Sequence, residues 1–138
     1  VLYRILEHPQ LWEDLYQEQN SILNEAGYND SVGAEVFTRE LLNKFVKMDS
    51  VIREAGRARN VYLNLPHTNV SKRPLVLSGG AVVLPGENVY VNMYWNHNDA
   101  DMSKALEDAQ QFKPYRYVNE DKSSTKVSEE FLVFGLGK

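Results

Sequence analysis

One carboxylate constrains this chain more than any other group: Glu54, in the stretch VIREAGRARN at 51–60. With Val51, Ala55 and Ala58 it fills the i, i+3, i+4 and i+7 positions of a core-facing helical stripe. An ionised carboxylate buried in such a row costs several kcal/mol unless partners satisfy it, on the order of a whole domain's net stability. Arg57, one turn on, leaves two alternatives open. Either the two residues form a half-exposed pair worth about 0.2–0.5 kcal/mol, or the stripe is buried and Glu54 requires a partner there.

The chain around it has 138 residues, 43% hydrophobic and 25% charged, enough for one ordinary globular domain. A net charge of -4 gives no basic footprint, which argues against a nucleic-acid partner, and the three His residues are too scattered to suggest a metal site. No apolar run approaches the roughly 18 residues that span a bilayer, so any membrane anchor lies outside this chain. Zero cysteines exclude disulfides, thiolate nucleophiles and thiolate metal ligands within these residues. VLYRILEHP opens inside a helical pattern without an initiating Met, and FLVFGLGK ends on an apolar strand and a Gly-rich turn. Both ends read as cuts, and the expectation is a piece of a larger protein.

Leu2, Ile5 and Leu6 carry helical spacing, and Pro9 suits the first turn of a second helix, with Glu13 and Asp14 toward its positive end. Trp12, Leu15, Tyr16, Ile22, Leu23 and Ala26 form the predicted buried face of that helix, of about 17 residues, and Gly27 its stop. FTRELLNKFVKM predicts a short helix, and Asp49 or Ser50 a cap for the helix carrying Glu54. RPLVLSGGAVVLPGENVYVNMYWNH predicts strands and tight turns, with Val89, Val91, Met93 and Trp95 alternating against Tyr90, Asn92 and Tyr94. DADMSKALEDAQQF reads as a short helix, KPYRY as an extended segment and VNEDKSSTKVSEE as a solvated loop. The fold class is α+β: helices first, then a small antiparallel sheet, then irregular chain.

Three segments fall in a telling order: Glu54-x-x-Arg57 on a helix, PYRY about sixty residues on, and FGLGK at the end. Together they resemble the cytochrome P-450 superfamily, the haem-thiolate monooxygenases. In that family the helical Glu and Arg meet an Arg from a Pro-x-Arg-Phe-like segment, so the resemblance implies a structural triad of Glu54, Arg57 and Arg116. Two guanidinium forks around a carboxylate can satisfy most of its lone pairs in a buried site. NHNDAD is similar to the segment before the meander loop, LVLSGGAVVLPGENVYV to the sheet hairpin, and FLVFGLGK to the start of the cysteine loop. The wording of LSGGAVVLPGE and SEEFLVFGLGK resembles fungal members. The resemblance implies that residues 1–138 are a partial, mainly helical P-450 domain, from the end of the central long helix to the start of the haem-binding loop.

What the resemblance implies for the site can be set beside plainer readings. His67 takes the place of a basic residue that reaches a haem propionate; otherwise it is a strand-edge histidine. Phe134, Gly135 and Gly137 would lie against the porphyrin, where a missing Cβ permits close approach; otherwise they form an ordinary turn. Val61, Tyr62, Leu63, Asn64 and Leu65 correspond to a strand facing substrate, or to a half-buried strand with no such role. His97 and Asp99 are expected to fix the turn before the meander. The haem-ligating Cys is expected three residues past Lys138 and the proton-delivering acid-Thr pair before Val1, so these residues are expected to hold no catalytic group, no metal ligand and no activity of their own. FGLGK is not a phosphate loop. NDS at Asn29 and NVS at Asn69 match the glycosylation pattern, a frequent chance match.

By resemblance, the whole protein would carry haem b and insert one oxygen atom from O2 into an apolar substrate. It would take electrons from an NADPH-dependent flavoprotein reductase on the cytosolic face of the endoplasmic reticulum membrane. The alternative is a non-enzymatic α+β interaction module in which Glu54, Arg57 and Arg116 are only a structural network.

Overall fold

The computed structural model describes residues 1–28, 33–59, 64–99, 108–121 and 123–135. They fall into two compact units, residues 1–56 with 111–126 and residues 57–110 with 127–138. Mixed helices and small antiparallel sheets give the α+β class expected from the sequence.

In the first unit, α1 (Leu2–Glu7) is followed by α2 (Pro9–Glu25), whose Pro9 sits at its first position. Gly27, at φ 85°, takes the left-handed conformation that closes such a helix at little cost. Ile5, Leu11, Leu15 and Val51 form one buried cluster, and Ile22, Leu23, Leu41 and Phe45 another, with Met48 packed against both. Burying a side chain of this size contributes about 1.5–3 kcal/mol. The apolar face of α2 differs from its predicted membership. Leu11 joins the core, whereas Trp12, Tyr16 and Ala26 are exposed. Glu13 and Asp14 lie a turn too deep to serve the helix N-terminus, and accept instead from Gln17 and from Tyr115.

The short helix predicted in FTRELLNKFVKM is α3 (Arg39–Leu42), capped by the Thr38 hydroxyl, which accepts from the Leu41 N–H. Helix α4 (Val46–Ala58) starts before the predicted caps, so Asp49 and Ser50 lie inside it and do not cap it. Its first turn is satisfied from another helix: the Glu18 carboxylate accepts the N–H groups of Lys47 and Met48 at 2.6 and 3.0 Å. KPYRY is not extended. From Pro114 the chain turns, with the Arg116 N–H donating to the Lys113 carbonyl, and Pro is well suited to the second position of such a turn.

The second unit holds two antiparallel pairs. β1 (Asn64–Thr68) pairs with β4 (Asn88–Asn92), so that Leu65 faces Val91 and His67 faces Val89. β2 (Leu75–Val76) pairs with β3 (Val82–Val83) as a hairpin. Asn69, buried, braces its base, donating from Nδ2 to the carbonyls of Arg73 and Val83 and accepting from the Ser71 N–H. The predicted alternation stops early. At Asn92, whose side chain accepts the Trp95 N–H, the chain turns into α5 (Met93–Asn98), which carries Met93 and Trp95 on a helix. The helix predicted in DADMSKALEDAQQF falls largely outside the described residues.

Candidate functional site

Glu54 is 0% exposed, which decides between the two sequence alternatives in favour of the buried one. One carboxylate oxygen accepts the Lys113 N–H at 2.9 Å, and the other accepts Arg116 Nε at 3.1 Å. Arg116 also donates from Nη2 to the Gln111 carbonyl. The sixty-residue jump inferred from the sequence thus ends on a charge-assisted contact with the expected arginine.

Glu54 is one of four residues by which α4 holds the segment 111–126. Asp49 accepts the Ser124 N–H at 2.9 Å and its hydroxyl. Ser50 donates to the Pro114 carbonyl at 2.8 Å and accepts the Tyr117 N–H at 3.0 Å. Arg53, buried, donates to the carbonyls of Ser123 and Lys126 at 2.6 and 2.8 Å, with its guanidinium over the Tyr117 ring. Sequence reasoning missed these three roles. Their signal is present in the spacing 49, 50, 53, 54, a polar stripe with the same helical period as an apolar one. Further out, the Tyr115 hydroxyl donates to Asp14 at 2.7 Å. Hydrogen bonds from Tyr115 and then Gln10 hold the Asp14 carboxyl below its ordinary pKa. Burial, then the bond to Asp14, pushes the Tyr115 phenol above its own.

In the second unit, Arg57 is buried and donates from Nη1 to the carbonyls of His97 and Ala109 at 2.9 and 2.7 Å. Asn98 donates to the Tyr94 carbonyl, and Gln110 to that of Asn98. His97, also buried, accepts the Leu132 N–H on Nε2 at 2.7 Å and stacks on Phe131. The structural role expected of His97 is therefore specific: it ties α5 to the segment that carries the last described residues. Beyond that anchor Phe134 is 72% exposed, and Gly135 has φ 72°, its N–H donating to the Leu132 carbonyl. His67 is exposed on β1, its Nδ1 3.3 Å from the Leu65 carbonyl. By strand alternation and register, Leu65, His67, Val89 and Val91 share one face of the β1–β4 pair. Asn64 and Leu65 are the described members of the predicted substrate strand; Val61, Tyr62, Leu63 and also Gly137 lie outside the described residues.

An aromatic ring facing outward before a left-handed glycine, on a segment anchored from behind, suits a flat apolar ligand. No Cβ at Gly135 would hinder close approach there. These features fit a porphyrin.

The chain matches the family model "Cytochrome P450" over residues 1–138. It is 26% identical to the cytochrome P450 monooxygenase idtP of Claviceps paspali over 100% of this chain and 26% of that protein. It is 28% identical to the lanosterol 14-alpha demethylase of Candida tropicalis, over 99% of this chain and 25% of that one. Among solved structures, a zebra fish cytochrome P450 with abiraterone superposes with a TM-score of 0.68 at 30% identity, covering 96% of this chain and 28% of that one. The fold is that of a cytochrome P450, and the chain belongs to this family. It spans about a quarter of the length of the relatives it matches. Membership implies haem as the cofactor of the whole protein, and these 138 residues contain no cysteine to ligate it.

Proposed function

We propose that the whole protein is a haem-thiolate monooxygenase, of which residues 1–138 form the part of the domain from the end of the central long helix to the start of the haem-binding loop. It inserts one oxygen atom from O2 into an apolar organic substrate, the other leaving as water, with two electrons drawn from NADPH through a flavoprotein reductase at the endoplasmic reticulum. Relatives named lanosterol 14-alpha demethylase and 25-hydroxycholesterol 7-alpha-hydroxylase support a bulky apolar substrate. When bound, thiolate-ligated haem supplies the activation of O2.

The residues present have binding and positioning roles. Phe134, Gly135 and Gly137 offer the ring and the open backbone on which the porphyrin rests, and His67 the polar group for a propionate. Val61, Tyr62, Leu63, Asn64 and Leu65 form part of the substrate wall. Glu54, Arg57 and Arg116 act as the structural triad that holds the meander segment. The observation that carries this reading is the loop 131–135. Its exposed ring and left-handed glycine stand on a base that His97 pins.

The test is the spectrum of the reduced protein with carbon monoxide. The whole protein is expected to give the red-shifted band of thiolate ligation, because the anionic sulfur pushes electron density into iron and porphyrin. Replacing the Cys expected three residues past Lys138 by Ser should abolish that band. A whole protein that binds no haem, or gives an imidazole-type spectrum, is not a monooxygenase of this kind, and the interaction-module alternative then stands.

A further inference from the structure

The elbow between α1 and α2 and the turn at 112–115 enclose a cavity of about 330 Å³. Its walls are mostly apolar: Leu11 from α2, Phe112, Pro114 and Tyr115 from the turn, and the His8 ring at the elbow. Volume and lining of this kind suit a small ligand held by apolar contact and a few fixed polar groups. Both aromatic walls are fixed by their neighbours. Phe112 stacks on His8 at 5.7 Å with 10° between the planes, and the Arg4 guanidinium stands 5.2 Å from its ring centre. Tyr115 is fixed by its hydroxyl on Asp14 and carries the Lys47 ammonium 5.7 Å from its ring centre. Walls ordered in advance lose little freedom when a ligand enters.

Charge indicates what the cavity takes. Of the side chains that line it, Asp14 alone carries a fixed charge. Tyr115 donates to one of its oxygens and Gln10 to the other, at 2.7 and 3.2 Å. Those two bonds hold the carboxyl below its ordinary pKa, with Lys47 the smallest contributor, so it is ionised near neutrality. One bond to each oxygen leaves about two of the four lone-pair sites of a carboxylate open. Arg4 does not fill them, because it pairs with Glu7 at 3.0 Å. An ionised carboxylate beside two aromatic rings is the combination that holds an organic ammonium ion, whose charge is attracted by the acid and by the negative face of a ring. An anion would meet Asp14 with like charge, and a neutral ligand would leave that charge unanswered.

We infer that this cavity binds a small organic cation with an apolar body, its ammonium group at Asp14 and its body against Phe112, Pro114 and Tyr115. Such a ligand bridges α2 and the segment that Glu54 holds. The inference does not rest on the monooxygenase reading and can fail independently of it. The test uses the whole, haem-loaded protein with its iron occupied by an azole, so that the haem pocket is closed to the probe. The probe is benzyltrimethylammonium, whose quaternary nitrogen cannot ligate iron. Saturation-transfer NMR observed on the probe should show binding with a Kd on the order of a millimolar, the scale for a ligand of this size. Phenylacetate and benzyl alcohol, an anion and a neutral molecule of similar size, should bind about threefold more weakly or worse. Phe112→Leu keeps bulk and loses the ring, and Asp14→Asn keeps an acceptor for Tyr115 and loses the charge. Each should weaken binding of the probe by about two- to fivefold. In the wild type, saturating probe should also slow amide exchange at Arg116, whose N–H closes the turn on the Lys113 carbonyl. No transfer to the probe, equal binding of all three ligands, or binding unchanged in both variants would each overturn the inference. Exchange at Arg116 unmoved by the probe would overturn it even if both variants failed to take up haem.

Discussion

The Glu18 carboxylate on α2 caps α4, accepting the backbone N–H of Lys47 at 2.6 Å with one oxygen and that of Met48 at 3.0 Å with the other. A helix N-terminus leaves its first N–H groups without intrahelical partners and carries partial positive charge, so a carboxylate held there by tertiary structure satisfies two donors at once. Glu18→Ala should destabilise the whole protein by about 1–2 kcal/mol, the range of a strong cap. Glu18→Gln, which has one acceptor oxygen where two are used, should fall between. Urea unfolding checks the order, and amide exchange at Lys47 and Met48 should quicken in both variants.

Glu54→Ala leaves the Arg116 guanidinium without its acid and the Lys113 N–H without its acceptor. Removing one partner of a buried ion pair typically costs about 3–5 kcal/mol, enough to impair haem incorporation. The expected result is low haem content, with Glu54→Gln partly rescuing it because an amide oxygen can still accept one of the two bonds. Haem retention and a native spectrum in Glu54→Ala would mean that the segment 111–126 is held by Asp49, Ser50 and Arg53 without it.

The contact between Glu54 and Arg116 was legible only through the family resemblance, which pairs the helical Glu with an Arg of a Pro-x-Arg segment; burial by itself said that the carboxylate needs a donor, not which one. The partners of Asp49, Ser50 and Arg53 were not, because they are backbone groups: Ser124 N–H, Pro114 carbonyl, Ser123 and Lys126 carbonyls. Every residue carries those groups, so sequence does not mark which will be used. The start of α4 was misplaced for a related reason. Asp49 and Ser50 look like local caps, and nothing near Val46 reveals that Glu18, twenty-eight positions earlier, does the capping. The strand in NVYVNMYWNH was overextended because Asn92 fits a polar strand position as well as a helix cap, and the helix cap is the role it takes.

Tyr115 and Asp14 tie the segment 111–126 to α2, and their linked shifts predict a pH window. The Asp14 carboxyl is held below its ordinary value of 3.8, so its contribution is present above that pH and is lost as pH falls through the lower folded value. The Tyr115 phenol is raised above its ordinary 10.0, so its contribution is present below that pH and fades as pH rises toward the raised value. Tyr115→Phe should therefore be less stable than the wild type between the two limits. The gap should close under stronger acid and stronger alkali, as urea midpoints across pH would show.

His97 serves the loop 131–135 through an acceptor nitrogen, since its Nε2 receives the Leu132 N–H at 2.7 Å in a fully buried site. His97→Leu preserves bulk but leaves that N–H unsatisfied, at a cost of about 1–3 kcal/mol. His97→Gln, whose amide oxygen falls near the position of Nε2, should recover much of it. The readout is the rate of haem loss to an acceptor protein. It should rise in His97→Leu and return toward wild type in His97→Gln if the hydrogen bond, and not the ring, positions Phe134 and Gly135.

Asn69 opens a glycosylation tripeptide that the fold has already spent. Its side chain is buried, donating to the Arg73 and Val83 carbonyls at 3.0 and 2.9 Å and accepting from the Ser71 N–H and hydroxyl at 3.0 and 2.7 Å. A glycan needs the same amide nitrogen exposed and free of both carbonyls. Expressed through a glycosylating secretory route, the folded protein should carry no sugar at Asn69, as peptide mass mapping would detect. Asn69→Ala should cost about 1–3 kcal/mol, because the carbonyls of Arg73 and Val83 lose a donor they share. Amide exchange should quicken across Leu75–Val83, while Asn69→Asp, which keeps the bond to Ser71 but cannot donate, should match Asn69→Ala at the hairpin. If Asn69→Asp behaved as wild type, the bonds to Ser71 alone would be holding the turn, and the donor pair would be incidental.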